Sequence, residues 1–152
     1  MKQIFIDESF GNPWHLRKVV LPQHTDHAGV MWHGSYLEWL EEARIEALVQ
    51  AGISYGDLSS QGYEMPVVSL SIDYKTALFH GDEVLLKSWI MPKKGPRWPW
   101  KTIFYKKETI KVAQAEIDLV LIEKTNNKNV LLRNEPKHLS KIFLDLQKGS
   151  IV

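Results

Sequence analysis

One stretch of this chain, residues 34–52, carries a sustained helical period, and nothing else in the sequence does. Tyr36, Leu40, Ala43, Ala47 and Ala51 recur at steps of three and four, with Leu37 and Leu48 beside them. Glu38, Glu41, Glu42, Arg44 and Glu46 fill the polar positions, and Gly52 stands where a helix C-terminal glycine stops the chain. Ser35 is a candidate N-cap, which leaves the start open by a residue or two. The small side chains of Ala43, Ala47 and Ala51 let the helix lie close against a flat partner such as a sheet.

The remaining periodic segments alternate with a period of two. Residues 16–21 have strand composition and stop at Pro22. Val68, Leu70, Ile72 and Tyr74 alternate with Val67, Ser69, Ser71 and Asp73, a strand with one apolar face. A turn at His80-Gly81-Asp82 leads to a strand over 83–91, a Pro/Gly-rich basic connection over 92–99, and strands over 100–107 and 111–124. Turn residues follow at 125–129, then 130–133 extends the sheet and 137–147 is read as a short helix with Ile142, Phe143 and Leu146 on one side. Residues 1–14, ending at the breaker region Asn12-Pro13, are read as an N-terminal arm, and 15–152 as a single domain. Runs of strands around one helix predict an α+β domain, an antiparallel sheet wrapped on that helix. One helix covers one face only, so sheet edges or the second face need a partner, and an oligomer is expected.

Composition narrows the chemistry. The 152 residues are 44% hydrophobic and 24% charged, enough for one well-buried core. Nineteen Lys and Arg against 18 Asp and Glu give a net charge of +1, which argues against a chain built to coat nucleic acid. The absence of cysteine excludes disulfide scaffolds, thiolate metal sites and a cysteine nucleophile. No apolar run approaches the ~20 residues of a membrane-spanning helix, and no targeting signal is visible, so a cytoplasmic protein is expected.

Residues 24–36, His-Thr-Asp-His-Ala-Gly-Val-Met-Trp-His-Gly-Ser-Tyr, place one carboxylate and three imidazoles just before the helix. A helix start offers unpaired N–H groups and the positive end of the macrodipole, so it can hold a carboxylate ionised and stabilise an oxyanion. Thr25-Asp26 also reads as turn and capping chemistry, and His24, His27 and His33 as a loose metal set, a reading not adopted for want of a further carboxylate in good spacing.

The run Thr25-Asp26-x-Ala28-Gly29-Val30-Met31-Trp32-His33-x-x-Tyr36-Leu37-x-Trp39-x-Glu41-x-Ala43-Arg44 resembles the hydroxybenzoyl-CoA thioesterase family of hot-dog folds, including its Tol–Pal-associated branch, over about twenty positions. That resemblance implies an acyl-CoA thioesterase that cleaves an aromatic (hydroxybenzoyl- or dihydroxynaphthoyl-like) or short-chain acyl-CoA to acid and CoA. It implies no cofactor, coenzyme A being part of the substrate. Asp26 matches the family's catalytic aspartate, which attacks the thioester or activates water. The His33 N–H matches its oxyanion donor, with Gly34 beside it. Gly29, Val30, Trp32, Gly34, Tyr36 and Met65 are the expected substrate-binding set, in a pocket that Trp39, Tyr63 and Pro66 enrich with bulky groups. Another hot-dog branch starts its helix with His-Gly and carries a catalytic carboxylate further along, which makes Glu42 a third catalytic candidate, set against a plain helix-face charge. A homodimer joining its sheets, and from it a homotetramer, is expected. His24 departs from the acidic residue often found two positions before the aspartate.

The segment 93–101, Lys-Lys-Gly-Pro-Arg-Trp-Pro-Trp-Lys, interleaves cations with aromatics. Lys93, Lys94 and Arg97 are candidates for coenzyme A phosphates, or else a solvated hairpin. Trp89 and Phe104 are read as core. Two competing functions stay open at this point: a hot-dog hydratase or dehydratase using His33 with a carboxylate, and a noncatalytic acyl-CoA or nucleotide binder using the basic segment.

Overall fold

The computed structural model describes residues 11–150. Its strands are β1 (Trp14–Val19), β2 (Tyr63–Glu64), β3 (Val67–Tyr74), β4 (Glu83–Ile90), β5 (Arg97–Lys106), β6 (Ile110–Thr125) and β7 (Lys128–Leu132). The helices are α1 (His33–Ala51), α2 (Tyr55–Ser60) and α3 (Ser140–Lys148), with 3-10 turns at Pro22–His24 and Lys137–Leu139. This is the expected α+β arrangement of one antiparallel sheet around one long helix.

The sheet runs β1-β4-β5-β6, with β3 on the far side of the first half of β6. The second half of β6 pairs with β7 and, through Tyr63 and Glu64, with β2. Two tight turns set this register. Lys107 and Glu108 between β5 and β6, and Asn126 and Asn127 between β6 and β7, all adopt positive φ, the geometry that matches the twist of a hairpin.

Helix α1 lies in the concave side of the sheet. Tyr36, Trp39, Leu40, Ala43, Ala47 and Leu48 are buried there against Leu86, Ile90, Trp98, Trp100, Phe104, Ala113, Ile117 and Leu119. Gly52 ends α1 at φ +117, as its sequence position indicates. The start differs from one expectation. Trp32, not Ser35, is the residue preceding the helix, while Ser35 sits buried in the first turn and donates its hydroxyl to the His24 carbonyl at 3.1 Å. Phe104 belongs to this core. Trp89 is also buried, but it lies on the alternate positions of β4, with Leu85, outside the core cluster around α1.

The short helix read over 137–147 is present as the 3-10 turn and α3, whereas the boundary of the arm departs from the sequence reading. Residues 1–10 of the proposed arm lie outside the described residues. Trp14 belongs to β1, and its indole N–H donates to the Leu146 carbonyl at 2.9 Å. Phe143 stacks on Trp98 with ring centroids 4.5 Å apart, so α3 closes one end of the sheet. β5 starts at Arg97 rather than at Trp100, so Trp98 and Pro99 belong to the strand. Pro99 fits because its carbonyl still accepts from the Met91 N–H at 2.8 Å. α2 and β2 have no sequence-level counterpart; they are too short to show a period.

β3 pairs only with β6, and its other edge carries no strand among the described residues. A bulge between Val67 and Ser69 puts Val67, rather than Val68 as the alternation indicates, on the face of Leu70 and Tyr74, and this face stays open: Val67, Leu70 and Tyr74 are 42%, 44% and 51% exposed. No helix of the described residues is long and apolar enough to cross a membrane.

Candidate active site

The segment between β1 and α1 folds back on itself. Thr25 bridges Met31, and the Asp26 N–H donates to the Val30 carbonyl at 2.8 Å. Val30 bridges Phe79, and the Trp32 N–H donates to His24 O at 3.1 Å, which ties the loop to the helix start. The Asp26 side chain organises the turn: Oδ1 accepts the N–H groups of Ala28 at 2.9 Å and Val30 at 3.2 Å. Gly29 takes φ +83 inside it, which a side chain resists. The carboxylate as a whole is exposed, and Oδ2 has no protein partner among the described residues.

At the start of α1 no side chain caps the helix and the first turn carries no acidic residue. The His33 and Gly34 backbone N–H groups have no hydrogen-bond partner among the described residues. These are the donors a helix N-terminus leaves for an anion or a developing oxyanion. Beside them is a cleft of about 340 Å³ lined by Val30, Met31, His33, Tyr36, Tyr74 and Lys75 among others. Asp26 does not line this cleft; it borders it through its hydrogen bond to Val30. Burial, and secondarily the neighbouring Tyr74 ring at 4.9 Å, pushes the Tyr36 hydroxyl up to about 12, so it is a neutral donor at the cleft wall. The Trp32 indole lies over Gly34 and meets the His33 ring edge-on at 5.2 Å.

The structure thus brings together Asp26, Gly29, Val30, Trp32, His33, Gly34 and Tyr36. It separates others. Glu42 lies on another side of α1, its carboxylate 3.0 Å from the Lys18 ammonium of β1. Trp39 turns the same way, edge-on to the buried His24 ring at 5.2 Å. His24 Nδ1 accepts from the Leu21 N–H at 3.0 Å, while His27 and His33 are exposed; among the described residues no group of three or more His, Asp or Glu gathers as metal donors.

Met65 and the basic hairpin sit at the opposite end of the sheet from the Asp26 loop. β4 spans the gap, about 25 Å for a strand of its length. Two of the three candidate cations there are already engaged: Arg97 pairs with Asp118 at 3.1 Å, and Lys93 lies over the Trp98 ring and donates to the Arg133 carbonyl. Lys94 is exposed, on a cleft of about 460 Å³ that it shares with Ser69, Ser71 and Lys101. Lys101 is buried on the outer face, 3.4 Å from Glu116. Tyr74 and Lys75, which line the cleft at the helix start, were not among the sequence candidates. The exposed end of an alternating strand is the signal that points to Tyr74; no local pattern marks Lys75.

The chain's likeness to known proteins fits this geometry. A family model described as the thioesterase-like superfamily matches residues 20–141. The protein named "Putative esterase" of Synechocystis sp. is 35% identical over 130 residues, 85% of this chain and 77% of the relative. The protein named "Putative acyl-CoA thioesterase YneP" of Bacillus subtilis is 32% identical over 80 residues, 53% of this chain and 55% of its own length. Among solved structures, a DHNA-CoA thioesterase from Staphylococcus aureus superposes with a TM-score of 0.76 at 24% identity, covering 87% of this chain and 89% of that one.

Proposed function

Because the chain belongs to the thioesterase-like superfamily, we propose that it hydrolyses an acyl-CoA, with Asp26 as the reacting carboxylate and the His33 N–H as oxyanion donor. One observation carries the reading: a carboxylate with a free oxygen stands at the lip of a cleft whose other wall is an uncapped helix start. In the proposed step Asp26 Oδ2 takes a proton from water, the water oxygen bonds to the acyl carbon, and negative charge collects on the carbonyl oxygen. The N–H groups of His33 and Gly34 stabilise that charge, an interaction of about 3–4 kcal/mol in barrier when one such donor is lost. The tetrahedral intermediate then collapses, the C–S bond breaks, and the CoA thiolate takes up the proton. Direct attack by Asp26 to form an anhydride is the alternative outcome, separated by ¹⁸O incorporation into the aspartate in a single turnover.

The aromatic lining of Tyr36 and Tyr74 favours an aromatic acyl group, hydroxybenzoyl- or dihydroxynaphthoyl-like, over a short aliphatic one. The reaction as proposed uses no cofactor. In this reading two copies join through the open edge of β3 into a homodimer and from it a homotetramer, in the cytoplasm. An antiparallel β3–β3 pairing covers the open apolar row Val67, Leu70 and Tyr74. It also carries the partner's Lys94 hairpin to the Asp26 end of the sheet, where CoA phosphates lie in this reading. The test is thiol release from benzoyl-, 4-hydroxybenzoyl-, dihydroxynaphthoyl- and short-chain CoAs, wild type against Asp26→Asn. Turnover lost in the variant supports the proposal; equal turnover in both, or none in the wild type over the whole panel, ends it.

A further inference from the structure

Arg44, the cation of the Glu41-x-Ala43-Arg44 run, has no part in the reaction above. It is half-buried and lines a small niche with Glu41, Tyr55, Met65, Trp100 and Leu119. Yet among the described residues it makes no hydrogen bond and no ion pair. Glu41 and Tyr55 act on it only through space, and burial pulls its pKa down against them. A guanidinium keeps its charge under such conditions, and leaving five donors half-desolvated without an acceptor is costly. The niche has room for about 10 Å³ of solvent, roughly one water, so nothing larger reaches Arg44 from inside its own chain.

Its place on the helix says what does. Arg44 follows His33 by eleven residues, close to three turns, and so shares the side of α1 that carries His33 and Leu37. Along that side it stands about 16 Å from the helix start, beyond the reach of an aromatic acyl group bonded at His33. The direction of β3 reverses this separation between two copies. α1 runs antiparallel to β3: Tyr36 meets Tyr74 at one end, while Arg44 shares its niche with Leu119, which pairs with Val67, at the other. A two-fold antiparallel pairing of β3 with its copy sets the Val67 end of one chain beside the Tyr74 end of the other. The Arg44 of one chain then stands level with the Tyr36–Tyr74 cleft of its partner.

We infer that Arg44 is a specificity-determining residue donated across the dimer, reading an oxygen acceptor on the acyl group at the end away from the thioester. The inference rests on the dimeric thioesterase reading above. The acceptor is a phenol, phenolate or carboxylate oxygen, and a bare aryl ring leaves the guanidinium unpaired.

The experiment uses two substrates, 4-hydroxybenzoyl-CoA and benzoyl-CoA, and heterodimers isolated by two affinity tags. Arg44→Gln is expected to lower the ratio of kcat/KM for the hydroxylated over the plain substrate by about tenfold or more, through the loss of a charged hydrogen bond, and Arg44→Lys to restore part of it. In a heterodimer of an Asp26→Asn chain with an Arg44→Gln chain, one site keeps both native groups. Activity on 4-hydroxybenzoyl-CoA of about half the wild-type dimer, well above either parent homodimer, is the expected result. A heterodimer no better than the mean of its parents overturns the shared site, and an unchanged substrate ratio in Arg44→Gln overturns the recognition role. If Arg44→Gln does not fold, Arg44→Met takes its place in both arms. A wild type inactive on every acyl-CoA refutes the thioesterase reading instead, so the two failures are told apart.

Discussion

The Trp32 indole lies flat over Gly34: a Cβ built on Gly34 stands 2.2 Å from the Cη2 atom of that ring. Gly34 has ordinary helical geometry, so its lack of a side chain serves this contact rather than an unusual backbone angle. The indole and the two free N–H groups of the helix start are therefore packed as one unit.

Gly34→Ala is expected to push the indole off the helix start. The atom in conflict is the far end of a side chain, and Ala is the better helix former, so stability should stay within about 1 kcal/mol of wild type. Activity falls, because the indole no longer packs on the helix start that carries the His33 and Gly34 N–H groups. Trp32→Ala combined with Gly34→Ala should lose less than the sum of the two single changes, a non-additivity read from kcat/KM in a double-mutant cycle.

Asp26 has two jobs that different substitutions separate. Asn keeps an oxygen for the Ala28 and Val30 N–H groups but cannot take a proton, so Asp26→Asn should lose about 10² to 10⁴ in kcat with little change in Tm. Ala removes the oxygen too. Asp26→Ala should be less stable than Asp26→Asn by about 1–2 kcal/mol, measured by urea unfolding, as expected when two backbone donors lose their acceptor.

Tyr36 gives an alkaline signature. Its pKa is about 12 in the folded chain against an ordinary value near 10, so between these pH values the folded state holds a proton that the unfolded state has released. Stability then falls as pH rises through that window. Tyr36→Phe should be as stable as wild type at pH 8, within about 1 kcal/mol, and lack this component of the loss between pH 10 and 12. Denaturant titrations at fixed pH read the difference; identical slopes for the two proteins contradict the assignment to Tyr36.

Lys94 is the candidate phosphate ligand left free by the ion pair of Arg97 and the contacts of Lys93. Lys94→Ala should raise KM for an acyl-CoA several-fold, and the increase should shrink at high salt. With an acyl-N-acetylcysteamine thioester, which has no phosphate, wild type and variant should match. A penalty on both substrates places Lys94 elsewhere in the mechanism.

Local physics made much of this molecule readable from its residues. The three-to-four period of α1, the αL glycine at its end, the alternation of β3 and the turn residues around Gly81 and Asn126 depend on neighbours a few positions apart. The contiguous motif from Asp26 to Tyr36 is legible for the same reason: loop and helix start are covalently adjacent, so their spacing alone places a carboxylate near unpaired N–H groups.

Tertiary structure decided what depends on pairing between distant strands and on the rotation of a helix against them. The family resemblance left Glu42 a candidate beside Asp26, but the turn of α1 points it to Lys18. The Lys94 hairpin and Met65 read as part of the same site, yet the hairpin lies a strand length away because β4 must run the width of the sheet. The alternation of β3 reads as a strand with one apolar face, and only the absence of a described neighbour beyond it shows an open edge. Residue chemistry along a chain is local; which side a helix turns inward, and which strand lies at the rim, are set by close packing of the whole core, and that cannot be summed from short windows.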